Sequence, residues 1–576
     1  MSLTEGWKCY AALITVMSPR ISALLITAAV AVPALIVAQQ STERVDLNVL
    51  HRIKVAEFGS GGGGGRGRGG AQGGKVMDLV WNLTDRYGPR LTNSPQFREA
   101  GDWAVGQLKE WGLANVKLEP WPTKDVPSGA IPGWQVKGYS GAMIAPSYMP
   151  IIGVPIAWTK GTDGPVTGEV ATATIDTQAD MDKYHGKLKG KIVFTAPLAE
   201  LPFPSAPLAS RYTKEQLEEL ETELIPSGRG GRGGAAGVGR GGFAALAAMT
   251  PEERTAFQEK QRNFWKDEGV LLTVTASARG ESGTLFGGGA ARRGDPTQNT
   301  PSVSITAEHY NRILRLVERN VPVKLQFDIK TEFDNNTESF NVIAEIPGTT
   351  KPNEVVLVGA HFDSWHYGTG ATDNAAGSAV AMEVMRILKS LNLKMDRTVR
   401  LGLWGGEEEG LLGSAAYVKQ HFADPETMKP TAEHDNFSGY FNIDNGTGRI
   451  RGIYLQGNEM MRPIFEAWFA PLKDMTPGAI TIRDTGGTDH QSFDRVGLPG
   501  FQFVQDQMDY NTRTHHSNMD VYDRVQPQDM AQMAVIEAMF VYNAATRPEK
   551  LPRKDLPAAQ PAAGGRGGRG GGRGGN

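Results

Sequence analysis

Five short apolar runs in the second half of the chain constrain the fold more than any other feature. The runs are SFNVIAEI at 339–346, EVVLVGA at 354–360, TVRLGLW at 398–404, GYFNI at 439–443 and GFQFV at 500–504. Between the second and third runs, apolar residues recur at helical spacing from Ala376 to Leu391. Continuous apolar runs that alternate with helices are typical of strands buried on both faces. The sequence therefore predicts an α/β fold in which a mostly parallel mixed sheet is covered by helices.

Carboxylates and histidines follow these predicted strands. They are His361 and Asp363 after 354–360, Asp373 in the next loop, Glu407, Glu408 and Glu409 after 398–404, Asp444 after 439–443, and His515 and His516 beyond 500–504. Ligands of parallel sheets bind beyond the carboxyl ends of the strands, so these side chains are expected at one edge. Burying uncompensated charge is costly, and no Lys or Arg lies within these motifs. A divalent metal would supply the missing positive charge.

Composition limits which metal ligands are available. Cys9 is the only cysteine among 576 residues, so cysteine-ligated sites and disulfide frameworks are excluded. Two histidines and at least three carboxylates suit zinc, and a shared carboxylate can bridge two ions. Adjacent glutamates can divide the work, since one can bind metal while the other deprotonates water. The formal net charge of −3 argues against a strongly basic nucleic-acid binder.

The motifs AHFDSW, GATDNAAG, WGGEEEGLLGS, FNIDNGTG and HHSNMDVYD resemble those of the co-catalytic zinc exopeptidases of metallopeptidase family twenty-eight. The similarity covers residues 75–135 and 335–548, and it implies two Zn²⁺ ions per chain. By this resemblance His361 and Asp444 hold one ion, Glu408 and His516 hold the other, and Asp373 bridges them. The resemblance also implies that Glu407 is the general base and that Asp363 orients His361.

Four polar residues near these motifs receive weaker assignments. Glu409 occupies a variable position after the glutamate pair and is expected to be a bystander. His515 is expected beside the ligands or in contact with substrate, because His516 directly precedes the Ser-Asn-Met-Asp segment that matches the family. Asp489 and His490 belong to TDHQSF, which resembles a family segment beside the active site, and they are expected to be structural or to line the substrate site.

Composition shifts along the chain predict its domain organisation. We expect a signal peptide at 1–38 with a possible start at Met17, a Gly/Arg linker at 39–74, a first peptidase part at 75–139, an insert at 140–330 with a flexible excursion at 227–300, the main peptidase part at 331–548, and a disordered tail at 549–576. The insert is β-rich and is similar to a protease-associated domain through LKGKIVF and PSVSITAEHYNRIL. The glycine tracts are interpreted as linkers or surface loops.

The resulting functional prediction is an exported exopeptidase, periplasmic or extracellular, that removes residues from the free N-terminus of peptides. The apolar run 21–38, preceded by Arg20, supports export, and an uncleaved membrane anchor is the alternative. Peptides or dipeptides are the expected substrates, no nucleic acid is expected as a partner, and a dimer is possible. The rival functions are a dipeptidase or carboxypeptidase of the plasma glutamate carboxypeptidase type, a glutaminyl cyclase-type acyltransferase, and a non-catalytic receptor-like scaffold.

Overall fold

The structure is a computed structural model, and it describes residues 43–59, 73–122, 130–201, 203–224, 249–277, 282–290 and 295–559. The predicted signal peptide, the glycine tract of the linker, much of the 227–300 excursion and the end of the predicted tail lie outside the described residues. Among the described helices, none is both long and apolar enough to cross a membrane.

The α-helices of the described residues are α1 Leu47–Phe58, α2 Val76–Trp81, α3 Pro95–Glu110, α4 Gln178–Tyr184, α5 Lys214–Glu221, α6 Pro251–Asp267, α7 Ala307–Glu318, α8 Ala376–Ser390, α9 Leu412–His421, α10 Ala432–Asn436, α11 Arg462–Phe469, α12 His490–Asp494 and α13 Pro527–Thr546. Short 3₁₀ or π turns lie at Asn82–Arg86, Pro296–Gln298, Ala371–Ala375, Glu459–Met461, Ala470–Leu472, Tyr510–Thr514 and Tyr522–Arg524.

The strands of the described residues are β1 Ala114–Pro122, β2 Gly133–Ala145, β3 Met149–Pro150, β4 Gly153–Pro155, β5 Val166–Thr172, β6 Ile192–Phe194, β7 Leu272–Ala276, β8 Ser302–Ile305, β9 Lys324–Asp334, β10 Glu338–Ile346, β11 Lys351–His361, β12 Arg397–Trp404, β13 Ala423–Asp424, β14 Lys429–Pro430, β15 Phe437–Asn442, β16 Ile450–Tyr454, β17 Ala479–Thr481 and β18 Gly500–Gln505. Apart from the small β13–β14 pair, they form two eight-stranded sheets.

The first sheet has the strand order β1-β10-β12-β11-β15-β18-β16-β17. Its four central strands, β12, β11, β15 and β18, run parallel to one another. β10 runs antiparallel to β12, because the short link 347–350 between β10 and β11 leaves no room for a parallel crossover. The predicted mixed α/β fold is confirmed, and of its five predicted strands the one at 339–346 runs antiparallel to the other four.

Helices cover the first sheet on both faces. Leu357 of β11 packs in a buried cluster with Tyr417 of α9 and Phe493 of α12. Val356 and Val358, the neighbours of Leu357 along the strand, are fully buried and point to the opposite face. On that face α8 and α13 pack against β11. Most residues of α8 and α13 are buried, as is typical of helices that carry apolar or small residues on all sides. The carboxyl ends of the central strands therefore project from a rigid, fully covered core.

The second sheet is formed by residues 133–334 and has the strand order β3-β2-β9-β5-β6-β7-β8-β4. The first long strand, β2, pairs antiparallel with the last, β9, so the chain enters and leaves this sheet side by side. Ile192 and Phe194 of β6 share a core with α7, whereas Val193 packs with α4 and α6. The predicted insert at 140–330 lies within this sheet.

Helix α1 lies in the segment 39–74 that was predicted to be a linker. Asp46 caps its N-terminus by accepting hydrogen bonds from the amides of Asn48 and Val49, at 2.9 and 3.1 Å. The helix packs on α8 and α13, and it buries apolar residues such as Leu50 and Ile53. The apolar stripe of α1 is short and is flanked by polar and glycine-rich sequence, and such a composition is typical of a linker.

Candidate metal centre

Four adjacent parallel strands bring the predicted ligands to one edge of the first sheet. His361 is the last residue of β11, and Asp444 follows the end of β15. Glu408 follows β12, and His516 lies in the loop beyond β18. Asp373 lies in the Ala371–Ala375 turn that leads into α8. The edge position follows from strand direction alone, because parallel strands end on the same side of the sheet.

Asp373 lies between two histidines from different parts of the sheet edge, His361 at the end of β11 and His516 in the loop beyond β18. Its Oδ1 is 3.1 Å from His361 Nε2, and its Oδ2 is 3.3 Å from His516 Nε2. Asp444 Oδ1 lies 3.4 Å from His361 Nε2, and Glu408 Oε2 lies 2.9 Å from His516 Nε2. The structure thus brings all five predicted ligands together, in two groups that share Asp373.

His515 is also close to this centre. Its Nε2 lies 3.7 Å from Asp373 Oδ2, and its ring lies 3.9 Å from the ring of His516. One potential ligand atom each from Asp373, His515 and His516 lies within 4.8 Å of the others, and the same holds for His361, Asp373 and Asp444. The geometry would therefore also allow His515 to act as the histidine ligand in place of His516.

The charges of the site fit a bound cation. Asp373 Oδ2 and Asp444 Oδ1 are buried and accept no hydrogen bond, which is costly for a carboxylate without a cation. Burial lowers the pKa of His361, but the acidic groups of Asp444, Glu407, Asp363 and Asp373 together raise it well above its ordinary value. Imidazole nitrogens together with carboxylate oxygens form a donor set that suits zinc. The residues present therefore fit this metal.

Glu407 is a buried carboxyl group beside the cluster. Burial raises its pKa well above the ordinary value, and the neighbouring carboxylates of Asp444 and Asp489 add to this effect. Gly406, which precedes it, has φ +71°, a left-handed conformation that favours glycine and turns the chain sharply after β12. A carboxyl group in such a position has a pKa shifted toward the range in which general bases work.

Asp363 contacts His361 and the glutamate turn in different ways. Its backbone oxygen lies 3.0 Å from His361 Nδ1, whereas its carboxylate is 3.7 Å from that nitrogen. The carboxylate accepts hydrogen bonds from the amides of Glu407 and Glu408, at 3.1 and 3.2 Å. Asp363 therefore contacts the imidazole through its main chain and the turn that carries Glu407 and Glu408 through its side chain.

Asp489 and His490 lie in different surroundings despite being adjacent. Asp489 is fully buried near His361 and Asp444, and burial raises its pKa to about 7. His490 Nε2 contacts Gln456 and lies 3.1 Å from the backbone oxygen of Thr485. Burial lowers the pKa of His490 to about 4, so the ring is neutral. Asp489 thus lies close to two of the predicted ligands, whereas His490 contacts Gln456 and the backbone of Thr485.

Three residues that sequence analysis did not assign organise the site. Fully buried Arg90 donates hydrogen bonds to the backbone oxygens of Phe362 and Gly370, at 2.7 and 3.1 Å, and so ties the two ends of the loop after β11. The Thr92 hydroxyl lies 3.0 Å from Asp363 Oδ2. Asp520 accepts a hydrogen bond from the Thr372 amide at 2.5 Å, and burial raises its pKa to about 8. Asp520 belongs to a quoted motif, but no local pattern distinguishes Arg90 or Thr92.

Comparisons with known proteins show which sequences and folds this chain resembles. The sequence profile of Peptidase family M28 matches residues 341–541. Carboxypeptidase Q of Bos taurus is 27% identical over 478 residues, which cover 82% of this chain and 85% of that protein. An aminopeptidase of Pseudomonas aeruginosa is 41% identical over 140 residues, which cover 23% of this chain and 25% of that protein.

Solved structures share the fold. A peptidase M28 precursor from Shewanella amazonensis has a TM-score of 0.59 at 23% identity, with 89% of this chain and 98% of that chain covered. A zinc aminopeptidase from Bacillus subtilis has a TM-score of 0.51 at 17% identity, with 84% and 97% covered. The profile match thus assigns residues 341–541 to peptidase family M28, and together with the aligned relatives and the ligand cluster it supports a zinc metallopeptidase.

Proposed function

We propose that this protein is a dinuclear zinc exopeptidase that hydrolyses the peptide bond next to a free N-terminus. The observation that carries the proposal is the position of Asp373, whose two oxygens face His361 and His516 at 3.1 and 3.3 Å. A carboxylate that faces two imidazoles, one on each side, is suited to bridge two ions. In this proposal Asp444 completes the position at His361, and Glu408 completes the position at His516.

The chain's own residues divide the chemistry. Zinc, when bound, polarises the substrate carbonyl and makes water easier to deprotonate. Glu407 takes a proton from the attacking water and passes it to the leaving amine, as a general base and then a general acid. Asp363 keeps Glu407 in place through its hydrogen bond to the Glu407 amide, 3.1 Å long. This division needs no group beyond those at the sheet edge.

A second function is supported by the relatives that align over most of the chain. Carboxypeptidase Q sequences match 82% of this chain at 25–27% identity, whereas the aminopeptidase match covers only 23%. A dipeptidase or carboxypeptidase with the same ligands is therefore the alternative. A receptor-like scaffold is the weakest candidate, because all five proposed ligands are present.

Peptide digestion distinguishes these functions. The zinc-loaded protein is incubated with a hexapeptide in free, N-acetylated and C-amidated forms and with dipeptides, and products are identified by mass spectrometry. Stepwise loss from the N-terminus that acetylation blocks supports an aminopeptidase. Loss from the C-terminus that amidation blocks, or cleavage of dipeptides alone, supports the alternative, and no cleavage at all refutes both.

The Glu407→Gln variant tests the proposed base. Because glutamine cannot accept the proton, kcat should fall by about 10²- to 10⁴-fold. The zinc content should stay at the wild-type level, since Glu407 is not among the proposed ligands, and metal analysis of the purified variant checks this. Turnover at the wild-type rate would remove Glu407 from the mechanism.

We also propose that the protein is exported and that residues 133–334 form a protease-associated-like insert. Export is supported by the apolar run at 21–38 that follows Arg20. The insert is supported by the separate second sheet, whose first and last long strands are neighbours. The mass of the N-terminus of exported protein tests the first proposal, and a peptidase domain that folds after replacement of 133–334 by a short linker tests the second.

A further inference from the structure

We propose that the second sheet sends two arms to the loop that carries His516 and thereby positions this ligand for one of the two metal positions. The histidine loop is defined as residues 506–518, the first arm as residues 208–212, and the second arm as residues 283–287. This inference rests on the proposed dinuclear zinc function and concerns residues outside the ligand set. The arms make the metal centre depend on both sheets.

The first arm pairs with the beginning of the histidine loop. Ser210 and Met508 exchange backbone hydrogen bonds of 3.0 and 2.8 Å in an antiparallel bridge. The hydroxyl of Thr512 donates to the backbone oxygen of Leu208 at 2.6 Å. The loop after β18 is therefore extended into a short two-stranded contact with a segment that belongs to residues 133–334.

Arg211 fastens this arm with two ion pairs. Its guanidinium donates to Asp506 Oδ2 at 2.8 Å and to Asp529 Oδ2 at 2.7 Å, and both carboxylates are almost fully buried. The amide of Tyr212 donates to Asp506 Oδ1 at 2.9 Å. Charge-assisted hydrogen bonds to buried carboxylates are strong. Arg451 and Arg449 also pair with Asp506 and Asp529, at 3.0 and 2.9 Å, so loss of Arg211 weakens the arm while each carboxylate keeps a cationic partner.

The second arm pairs with the end of the histidine loop. The amide of Gly287 donates to the backbone oxygen of His516 at 3.0 Å, and the amide of Asn518 donates to that of Leu285 at 3.0 Å. Asn518 Oδ1 also accepts a hydrogen bond of 2.7 Å from the Leu285 amide. A Cβ atom on Gly287 would lie 1.7 Å from the ring of Tyr367, so only glycine lets the arm approach this closely.

The backbone of His516 needs such support. Its φ is +62°, a left-handed conformation that is unfavourable for a non-glycine residue and persists where the surroundings impose it. His361 ends a central strand and Asp444 lies just beyond another, so the rigid sheet holds them without the arms. Weakening the contacts of the arms should therefore lower zinc affinity at the position of His516 and leave zinc affinity at the position of His361 unchanged.

Zinc titration of full-length variants tests this. Arg211→Gln weakens the first arm and Asn518→Ala weakens the second, while neither removes a proposed ligand. Calorimetric titration of the metal-depleted proteins should show one binding step weakened by about tenfold to a hundredfold, the range seen when a group that orients a ligand is lost, and the other step unchanged. His516→Ala provides the reference for loss of that position.

The controls separate positioning from general destabilisation. Lys191→Gln removes an exposed ion pair of the second sheet, to Glu169 at 2.5 Å, and should leave both zinc steps unchanged. Arg211→Lys keeps the positive charge but loses the planar guanidinium that donates to both carboxylates. Its zinc affinity at the weakened step should therefore lie between those of the wild type and Arg211→Gln. Two unchanged zinc steps in Arg211→Gln, Arg211→Lys and Asn518→Ala would overturn the inference, and equal weakening of both steps would do the same. A wild-type protein that binds fewer than two zinc ions would instead refute the proposed dinuclear function.

Discussion

Thr92 offers a single hydroxyl to two carboxylates beside the metal centre. Its Oγ1 lies 3.0 Å from Asp363 Oδ2 and 2.7 Å from Glu409 Oε2. The Asp363 carboxylate also accepts a hydrogen bond from the backbone amide of Glu407. The hydroxyl therefore acts on the catalytic turn through Asp363, and Glu409, which was expected to be a bystander, shares in the same network.

Replacing Thr92 with valine keeps the shape of the side chain and removes the hydroxyl. We expect kcat to fall by about tenfold to a hundredfold with little change in KM, because the glutamate turn loses a restraint. The free energy of unfolding should fall by about 1.5–3 kcal/mol, the usual contribution of a hydrogen bond to a charged group. Steady-state kinetics and urea unfolding measure the two effects.

Thr92→Ser is the matched control, because it restores the hydroxyl on a smaller side chain. It should recover most of the lost kcat. If Thr92→Ser is as slow as Thr92→Val, packing rather than the hydroxyl is responsible, and the positioning role of Thr92 is wrong.

Among the elements, helix α1 is attached to the peptidase core through a pair of acidic residues. Glu57 of α1 is buried against Glu383 of α8, whose carboxylate is ion-paired with Arg386 at 2.6 Å. Burial raises the pKa of Glu57 to about 10, and the hydrogen bond and charge of Glu383 add to this shift. Glu57 is thus protonated in the folded protein at neutral pH.

The attachment of α1 should therefore weaken at alkaline pH. The ordinary pKa of Glu57 is 4.5 and the folded value is about 10, so the stabilising contribution is complete below pH 4.5 and is lost as the pH rises toward 10. The slope is at most about 1.4 kcal/mol per pH unit. Glu57→Gln should flatten it, as measured by urea unfolding between about pH 6 and about pH 9.

An exposed carboxylate gives the comparison for this experiment. Glu549 has a side chain that is 84% exposed, so Glu549→Gln should keep the wild-type pH profile. Parallel pH profiles for the wild type and Glu57→Gln would show that the proton on Glu57 contributes nothing to the docking of α1.

Over the whole molecule, the metal centre concentrates carboxyl groups at the edge of the first sheet. The carboxyl groups at or beside it belong to Asp363, Asp373, Glu407, Glu408, Asp444, Asp489 and Asp520. Buried Arg90 faces them, but burial lowers its pKa to about 10 and its hydrogen bonds go to backbone oxygens. Bound cations should therefore stabilise the folded chain as a whole.

Removing the metal with a chelator should lower the Tm by several degrees. A ligand at a thousand times its Kd stabilises the folded state by about 4 kcal/mol, and this contribution disappears on chelation. Scanning calorimetry before chelation, after it, and after zinc is restored measures the effect. Magnesium should not replace zinc, because it disfavours imidazole ligands. Equal Tm values with and without zinc would contradict a stabilising metal centre.

The sequence by itself determined the fold class and the edge of the sheet where the site lies. Apolar runs and helical periodicity are local, so β11 and α8 were located to within a few residues, with α8 ending at Ser390 rather than Leu391. Strand direction then placed the polar residues after each run together, because parallel strands share their carboxyl edge. Local patterns do not carry direction, so they predicted a mixed sheet without indicating that β10 is an antiparallel strand in it.

Only the tertiary structure decided what surrounds the metal centre. Thr92 meets Asp363 across 271 positions of sequence, and Arg211 meets Asp506 across 295. Arg90 likewise donates to backbone oxygens of the loop after β11 from a fully buried position, and no local pattern indicates that it is buried. Such contacts are set by how two sheets pack, and their residue types are indistinguishable in sequence from those of ordinary loops. The ligand types were therefore predictable from the chain, whereas the groups that position them were not.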